Sequence, residues 1–387
     1  MVELTLARAR LPGRDGLFDI GLADGVIAAI SASDPTPAAP CRDLAGRLLL
    51  PALADGHLHL DKSFIGQPWR PHRPGETIAA RIAAERAERA LLGRSVKERA
   101  LLLVERVIGF GTLALRSHVD IDEVIGLDHV LALLELRQDL GERVDLQLVA
   151  FPQSGVNRRV AELMEEALRL GVDLVGGLDP AGIDGDIEAQ LAVLFGLAER
   201  YQRPIDIHLH DPGTLGAFEL KRIAARTIAA GMQGRVAVSH AFALGQLAAD
   251  EFDRTVLALA EAGVAIMSNG PATDAMPPLA RLRAAGVTLF GGCDNIRDGW
   301  SPFGSGDALQ RAAIIAERAN WRGDDEIEAA FAMLTDGSRS VMGLPPVTLT
   351  VGSPADLIAL DAGSIAEAVA GAPMPRLVLR RGRPVLG

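Results

Sequence analysis

The chain has 387 residues, with 50 Asp+Glu against 39 Lys+Arg and a formal net charge of −11. That acidic balance argues against nucleic-acid or anionic-membrane partners, which want a basic face. Hydrophobic residues at 49%, charged residues at 23% and only Cys41 and Cys293 exclude long disorder, a disulfide scaffold and a cysteine-built zinc site. Met1–Asp15 carries Glu3 and three arginines with no apolar core, unlike a secretory signal. No run reaches the ~18 apolar residues of a membrane span, and Ala100–Arg116 is broken by Glu105 and Arg106. A soluble cytoplasmic protein is expected.

In chain order, Val2–Leu6, Leu17–Leu22 and Val26–Ile30 have β-type spacing, separated by Pro12-Gly13, Asp15-Gly16 and Asp24-Gly25 turns. Short apolar runs follow at Leu48–Leu53, Thr112–Val119, Asp145–Phe151, Leu174–Leu178, Pro204–His208, Arg235–Val238, Ala265–Met267 and Thr288–Phe290. Ala- and Leu-rich helical stretches such as Thr77–Phe110, Arg158–Leu170 and Ile187–Arg200 lie between them. Eight strand–helix alternations over roughly 300 residues favour a (β/α)₈ barrel over a doubly wound sheet. The Pro-rich stretch Gly66–Gly75 is a candidate lid after the first barrel strand. Val347–Val351, Leu357–Leu360 and Leu377–Leu379 are again strand-like, so the two ends are expected to build one small β-sandwich domain. The expected division is 1–48 for its N-terminal part, 49–344 for the barrel and 345–387 for its C-terminal part.

Active sites of such barrels sit at the C-terminal ends of the strands, so polar residues closing apolar runs matter most. His57-Leu58-His59 closes the first run, and on a strand i and i+2 share a face that can hold one ion. Alone, that pair reads more readily as coincidence or a polar strand end. Ile205-Asp206-Ile207-His208-Leu209-His210 repeats the pattern, Ser239-His240 closes the next run and Cys293-Asp294 the last. Five histidines and an aspartate at four strand ends point to one metal site.

This pattern resembles the amidohydrolase superfamily, and Gly352–Leu360 is similar to its returning C-terminal β segment. Within it the chain resembles the cytosine deaminase group through His57–Lys62, Arg116–Asp120, Ala150–Gln153 and Asp294. It is more similar still to the N-isopropylammelide isopropylaminohydrolase type, through Asp61–Phe64, Asp173–Pro180, His208–Gly216 and Asp294–Gly304.

The resemblance implies a hydrolase that removes an exocyclic amine or alkylamine from an aminopyrimidine or amino-triazine ring. Cyclic amide opening and a non-catalytic metal-binding barrel are the alternatives. It implies one divalent ion, zinc or else ferrous iron, held by His57, His59, His208 and Asp294. The fourth strand ends in Leu178-Asp179 rather than a bridging lysine, and Lys62 lies on the wrong strand to bridge two ions. Asp294 would also accept the water proton. His240 would orient the attacking water, or else serve as a ligand. His210 would protonate the leaving amine, with Asp211, where cytosine deaminases carry Glu, as the other candidate. Gln153 would pair with a ring amide, Lys62 neutralise a ring oxyanion, Asp179 accept a ring N–H, and Trp300 or Phe303 face the ring, with Trp69 nearby. Bland alternatives for these are a surface lysine, a strand-end cap and core aromatics. His118 is expected to brace a ligand, His72 and His129 to be solvated or structural, and Cys293 to be a packed small residue. The partners implied are a small heterocycle and further copies of the same chain.

Overall fold

A computed structural model describes residues 2–35, 40–72, 75–89, 91–374 and 376–385. Its central sheet runs in chain order through β1 (Leu53–Leu58), β2 (Thr112–Ile121), β3 (Asp145–Pro152), β4 (Leu174–Leu178), β5 (Ile205–Leu209), β6 (Val236–His240), β7 (Ala265–Ser268) and β8 (Leu289–Gly291). Every neighbouring pair is parallel. Closure comes from a parallel bridge between Leu58 and Asp294, where the Asp294 N–H donates to the His57 carbonyl at 2.8 Å. All ten residues of β2 are buried, the near-continuous burial expected of a strand covered on both faces.

Helices cover the outside. The helix Arg158–Arg169 buries Val160, Leu163, Met164, Ala167 and Leu168, an i, i+3, i+4 stripe against the barrel. The helical stretch expected over Thr77–Phe110 is two helices, α1 (Ile78–Arg89) and α2 (Val96–Gly109). Ser95 separates them: its hydroxyl accepts from the Glu98 N–H while the Glu98 carboxylate accepts from the Ser95 N–H, a reciprocal cap that starts α2 afresh. Within the candidate lid, residues 73 and 74 lie outside the described residues, and His72 Nε2 meets the Gly299 carbonyl at 3.1 Å. No helix among the described residues is long and apolar enough to cross a membrane.

The chain ends form two four-stranded sheets packed face to face. One contains Leu4–Ala9, Phe18–Ala23, Val26–Ala32 and Cys41–Asp43; the other contains Leu48–Pro51, Leu357–Leu360, Leu377–Arg380 and Arg383–Pro384. Leu6, Ile20, Leu22 and Ile27 from the first meet Leu49, Leu357 and Leu379 from the second in one core. Two expectations are corrected here. Leu48–Pro51 pairs antiparallel with Leu357–Leu360, so this run belongs to the end sheets and not to the first barrel strand. Leu49 faces the end core while Leu48 and Leu50 face the barrel core, so the strand is apolar on both sides and looks like a barrel strand in sequence. Val347–Val351 forms no strand: Val347 enters the end core, but the Thr348 N–H goes to Ser353 Oγ and the Gly352 N–H to the Ile27 carbonyl.

Arg376 locks these sheets to the barrel. Its guanidinium holds both Asp307 oxygens at 2.8 and 2.7 Å and the Phe110 carbonyl at 2.6 Å, while Asp307 also caps the helix Ala308–Arg318. Breaking a buried pair strands one charge, so Arg376→Ala is expected to cost about 3–5 kcal/mol in urea unfolding. A loss under 1 kcal/mol would show that the lock contributes nothing.

Candidate active site

The histidines and Asp294 meet at the C-terminal mouth of the barrel. His57 closes on β1 and His59 follows it; His208 lies on β5, His240 ends β6 and Asp294 follows β8. Asp294 Oδ1 stands 3.5 Å from His57 Nε2 and 3.4 Å from His59 Nε2. Nitrogens of His57, His59 and His208 lie within 4.8 Å of one another, as do ligand atoms of His57, His240 and Asp294. His240, Asp294 and Asp179 adopt φ of 74°, 58° and 34°, a left-handed backbone that non-glycine residues seldom hold. Such conformations persist only where surrounding structure imposes them, and three of them ring this mouth.

This donor set fits a divalent cation. Among the described residues, His57 Nε2 and both His208 nitrogens are buried with no hydrogen-bond partner. Burial pushes His59 down to about 4 and His208 and His240 well below the usual histidine range, so these imidazoles are neutral, the form that binds metal. Burial alone would raise the Asp294 carboxyl, yet the His57 and His59 rings, whose Nε2 atoms stand 3.5 and 3.4 Å from Oδ1, hold it well below the usual range. Three imidazoles and a carboxylate without thiolate are ligands for zinc or iron.

Behind the cluster His57 Nδ1 meets Ser239 Oγ at 2.9 Å, Ser239 donates to Asp206 Oδ1 at 2.8 Å, and Asp206 Oδ2 accepts from Arg116 at 3.0 Å. This chain fixes the His57 ring and leaves Nε2 aimed at the site, the support that metal-binding histidines need. His118 packs its ring 4.1 Å from that of His57 and 4.5 Å from that of His208. His129 bonds Asp61 at 2.8 Å. Cys293 is buried, with its N–H on Asp55, and burial raises its thiol well above the usual value.

Two expected site residues are placed differently. Asp179 was expected to accept a ring N–H; instead Oδ1 accepts the His210 backbone N–H at 2.5 Å and Oδ2 meets His210 Nδ1 at 2.8 Å. Its left-handed φ turns both oxygens onto one histidine. Burial disfavours charge on His210, but the Asp179 carboxylate outweighs it and raises the histidine above its ordinary value. Asp211, the alternative acid, is engaged by the Gly182 N–H at 2.9 Å and by Glu219. Burial pushes Glu219 up to about 8, and the neighbouring Asp211 charge adds to the rise. His210 instead stacks on His240 with ring centres 4.5 Å apart.

A pocket opens over the cluster, walled by Lys62, Phe151, Gln153, Asn295 and Trp300 beside His59, His208, His210, His240 and Asp294. Lys62 is buried, and although burial opposes its charge, Asp120 and Glu85 raise it above the ordinary lysine value. Trp69 and Phe303 are exposed and do not line this pocket. Sequence reasoning assigned no role to Phe151 or Asn295, although both stand inside motifs it quoted. It missed Glu85 altogether, one of several charges in a helical stretch with nothing to set it apart.

Residues 41–386 match the Amidohydrolase family model. The chain belongs to the amidohydrolase family. It is 32% identical to N-isopropylammelide isopropyl amidohydrolase of Pseudomonas sp. (strain ADP), over 99% of this chain and 97% of that protein. It superposes on the crystal structure of N-isopropylammelide isopropylaminohydrolase from Burkholderia multivorans with a TM-score of 0.93 at 41% identity, covering 99% of this chain and 98% of the other. The 5-methylcytosine deaminase of Klebsiella pneumoniae, liganded with 5-fluorocytosine, superposes with a TM-score of 0.86 at 28% identity, covering 99% and 97%. These relatives are hydrolytic deaminases and aminohydrolases of one superfamily.

Proposed function

We propose that this chain hydrolyses an exocyclic amine or alkylamine from an aminopyrimidine or amino-triazine ring, as an enzyme carrying one divalent ion, zinc or ferrous iron, on His57, His59, His208 and Asp294. The observation that carries it is His210, tied to Asp179 and stacked on His240, facing the same pocket as the ligand set. A cation in that set lowers the pKa of water from ~15.7 toward ~7.

The chain's own groups supply the rest. Asp179 holds His210 Nδ1, so the opposite nitrogen, Nε2, carries the proton handed to the departing amine. Asp294 Oδ1, close to His57 and His59, takes a proton from the attacking water. His240, stacked on His210, hydrogen-bonds the developing oxyanion. Phe151 and Trp300 bound the flat ring, and the Lys62 charge lies 5.4 and 5.3 Å from their centres, where it meets a ring carbonyl. The proposal leads to aminopyrimidine, pterin and N-alkylaminotriazine panels assayed for amine release, with metal analysis of the same sample. Amine without new carboxylate supports it; a new carboxylate means ring opening, and no release from any ring overturns it.

A further inference from the structure

Three polar side chains at the pocket come from three separate segments: Lys62 after β1, Gln153 after β3 and Trp300 after β8. All three donate to one atom, Glu85 Oε2. Gln153 Nε2 reaches it at 2.7 Å, Trp300 Nε1 at 2.5 Å and Lys62 Nζ at 3.4 Å. Glu85 is only 4% exposed and stands on α1, outside the strand–helix repeat of the barrel. One turn earlier on the same face, Ile82 packs with Phe151 and Leu178. One turn later Arg89 holds Asp120 and Asp122 at 2.9 Å each, which pins α1 to the end of β2.

We infer that Glu85 is a positioning residue that sets the ring-binding wall of the pocket; this rests on the ring-hydrolysis reading above. A carboxylate only accepts hydrogen bonds. It therefore draws the Nε2 side of the Gln153 amide to itself. The other side, Oε1, is turned to Lys62 Nζ at 2.9 Å. A flipped amide would set oxygen against carboxylate and NH₂ against ammonium, so both neighbours select one orientation. The same oxygen fixes the Trp300 indole in its plane and keeps the Lys62 ammonium beside the Gln153 oxygen. A cation next to an acceptor is the complement of a ring edge that carries a carbonyl beside an N–H. Among the described residues the polar partners of Glu85 are Lys62, Gln153, Trp300 and Arg89 and not the histidine cluster, so it acts on ring binding and not on proton transfer.

Glu85→Gln tests this, because glutamine keeps the size but cannot accept from all three donors. Losing hydrogen bonds to a charged group at this strength should raise KM about 10–100-fold. The kcat and metal content should change by less than about threefold, since each tenfold corresponds to only ~1.4 kcal/mol and the chemistry is untouched. The Trp300 indole N–H resonance in ¹⁵N-labelled protein should move, with Trp69 and Trp321 as internal references. Glu85→Asp, which keeps the charge, should recover part of the loss. In a double-mutant cycle Trp300→Phe should be non-additive with Glu85→Gln, because both remove the same bond. An unchanged KM, or kcat falling with KM constant, overturns the inference even if wild-type turnover is intact. Should the wild type release no amine, the reading of the reaction fails on its own. The inference is then decided by calorimetric binding of the same rings, which Glu85→Gln must weaken and the wild type must show.

Discussion

Asp179→Asn is expected to lower kcat by about 10²–10⁴, the usual range for losing a positioned proton donor, with metal content and KM held. Asp179 gives one oxygen to the His210 backbone N–H and the other to its Nδ1. As a carboxylate it can satisfy both, so the ring is held with a proton on Nδ1 and charge on the imidazolium is favoured. Asparagine has one oxygen. If that oxygen stays on the backbone N–H, its NH₂ faces Nδ1, and the ring must present a lone pair there and carry its proton on the pocket side as a neutral donor. A neutral imidazole is a far weaker acid than the imidazolium, so amine departure slows. The same exchange in a serine-protease triad costs about 10⁴ through the wrong tautomer. Single-turnover rates of amine release, read with metal analysis and a melting curve, separate this from misfolding. Unchanged kcat would remove the proton from His210. Asp211→Asn is the comparison: its carboxyl is shared with Glu219 and the Gly182 N–H, so a smaller effect on kcat is expected. A larger loss there than at Asp179 would move the acid to Asp211.

The barrel and the histidine–aspartate cluster at its mouth were legible because both obey periodic rules. Apolar runs bounded by helices mark the strands, and polar residues closing such runs mark the end where the sheet opens to the pocket. His57, His59, His208, His240 and Asp294 all lie at or just past such ends, and Asp206 shares a strand face with His208 two residues on. Leu48–Pro51 defeated it because a strand shared by two cores is apolar on both faces, as a barrel strand is. Asp179 was read as a ring acceptor because strand position tells that a carboxylate reaches the mouth, not which way it turns. Its φ of 34° directs it to His210, and backbone hand at a non-glycine residue leaves no trace in sequence. Glu85 lay beyond reach for another reason. Its partners are 23, 68 and 215 positions away, and only the docking of α1 onto the mouth brings them together.

Gly292→Ala should cost metal affinity about 10–100-fold, the range seen when the supports of metal ligands are removed. Gly292 carries no ligand atom. It lies where β8 closes against β1, and a Cβ there would sit 2.3 Å from the His57 carbonyl oxygen and 2.6 Å from the His57 Cβ. Those neighbours are the His57 backbone and the root of its side chain, so no flexible side chain can give way. The strands must separate, which stretches the bond from the Asp294 N–H to the His57 carbonyl and draws Asp294 away from His57 and His59 together. Two of the four proposed ligands are thereby displaced, and activity should fall with metal occupancy and return in part at high added metal. His57→Ala, which deletes a proposed ligand, should not be rescued in that way. Gly196→Ala on the helix Ile187–Tyr201 is the matched control: nothing lies within 4 Å of its added methyl. Helix propensity makes that exchange stabilising by up to about 1 kcal/mol. If Gly292→Ala binds metal as tightly as Gly196→Ala in a competition titration, closure of the barrel at this glycine does not set the ligand geometry.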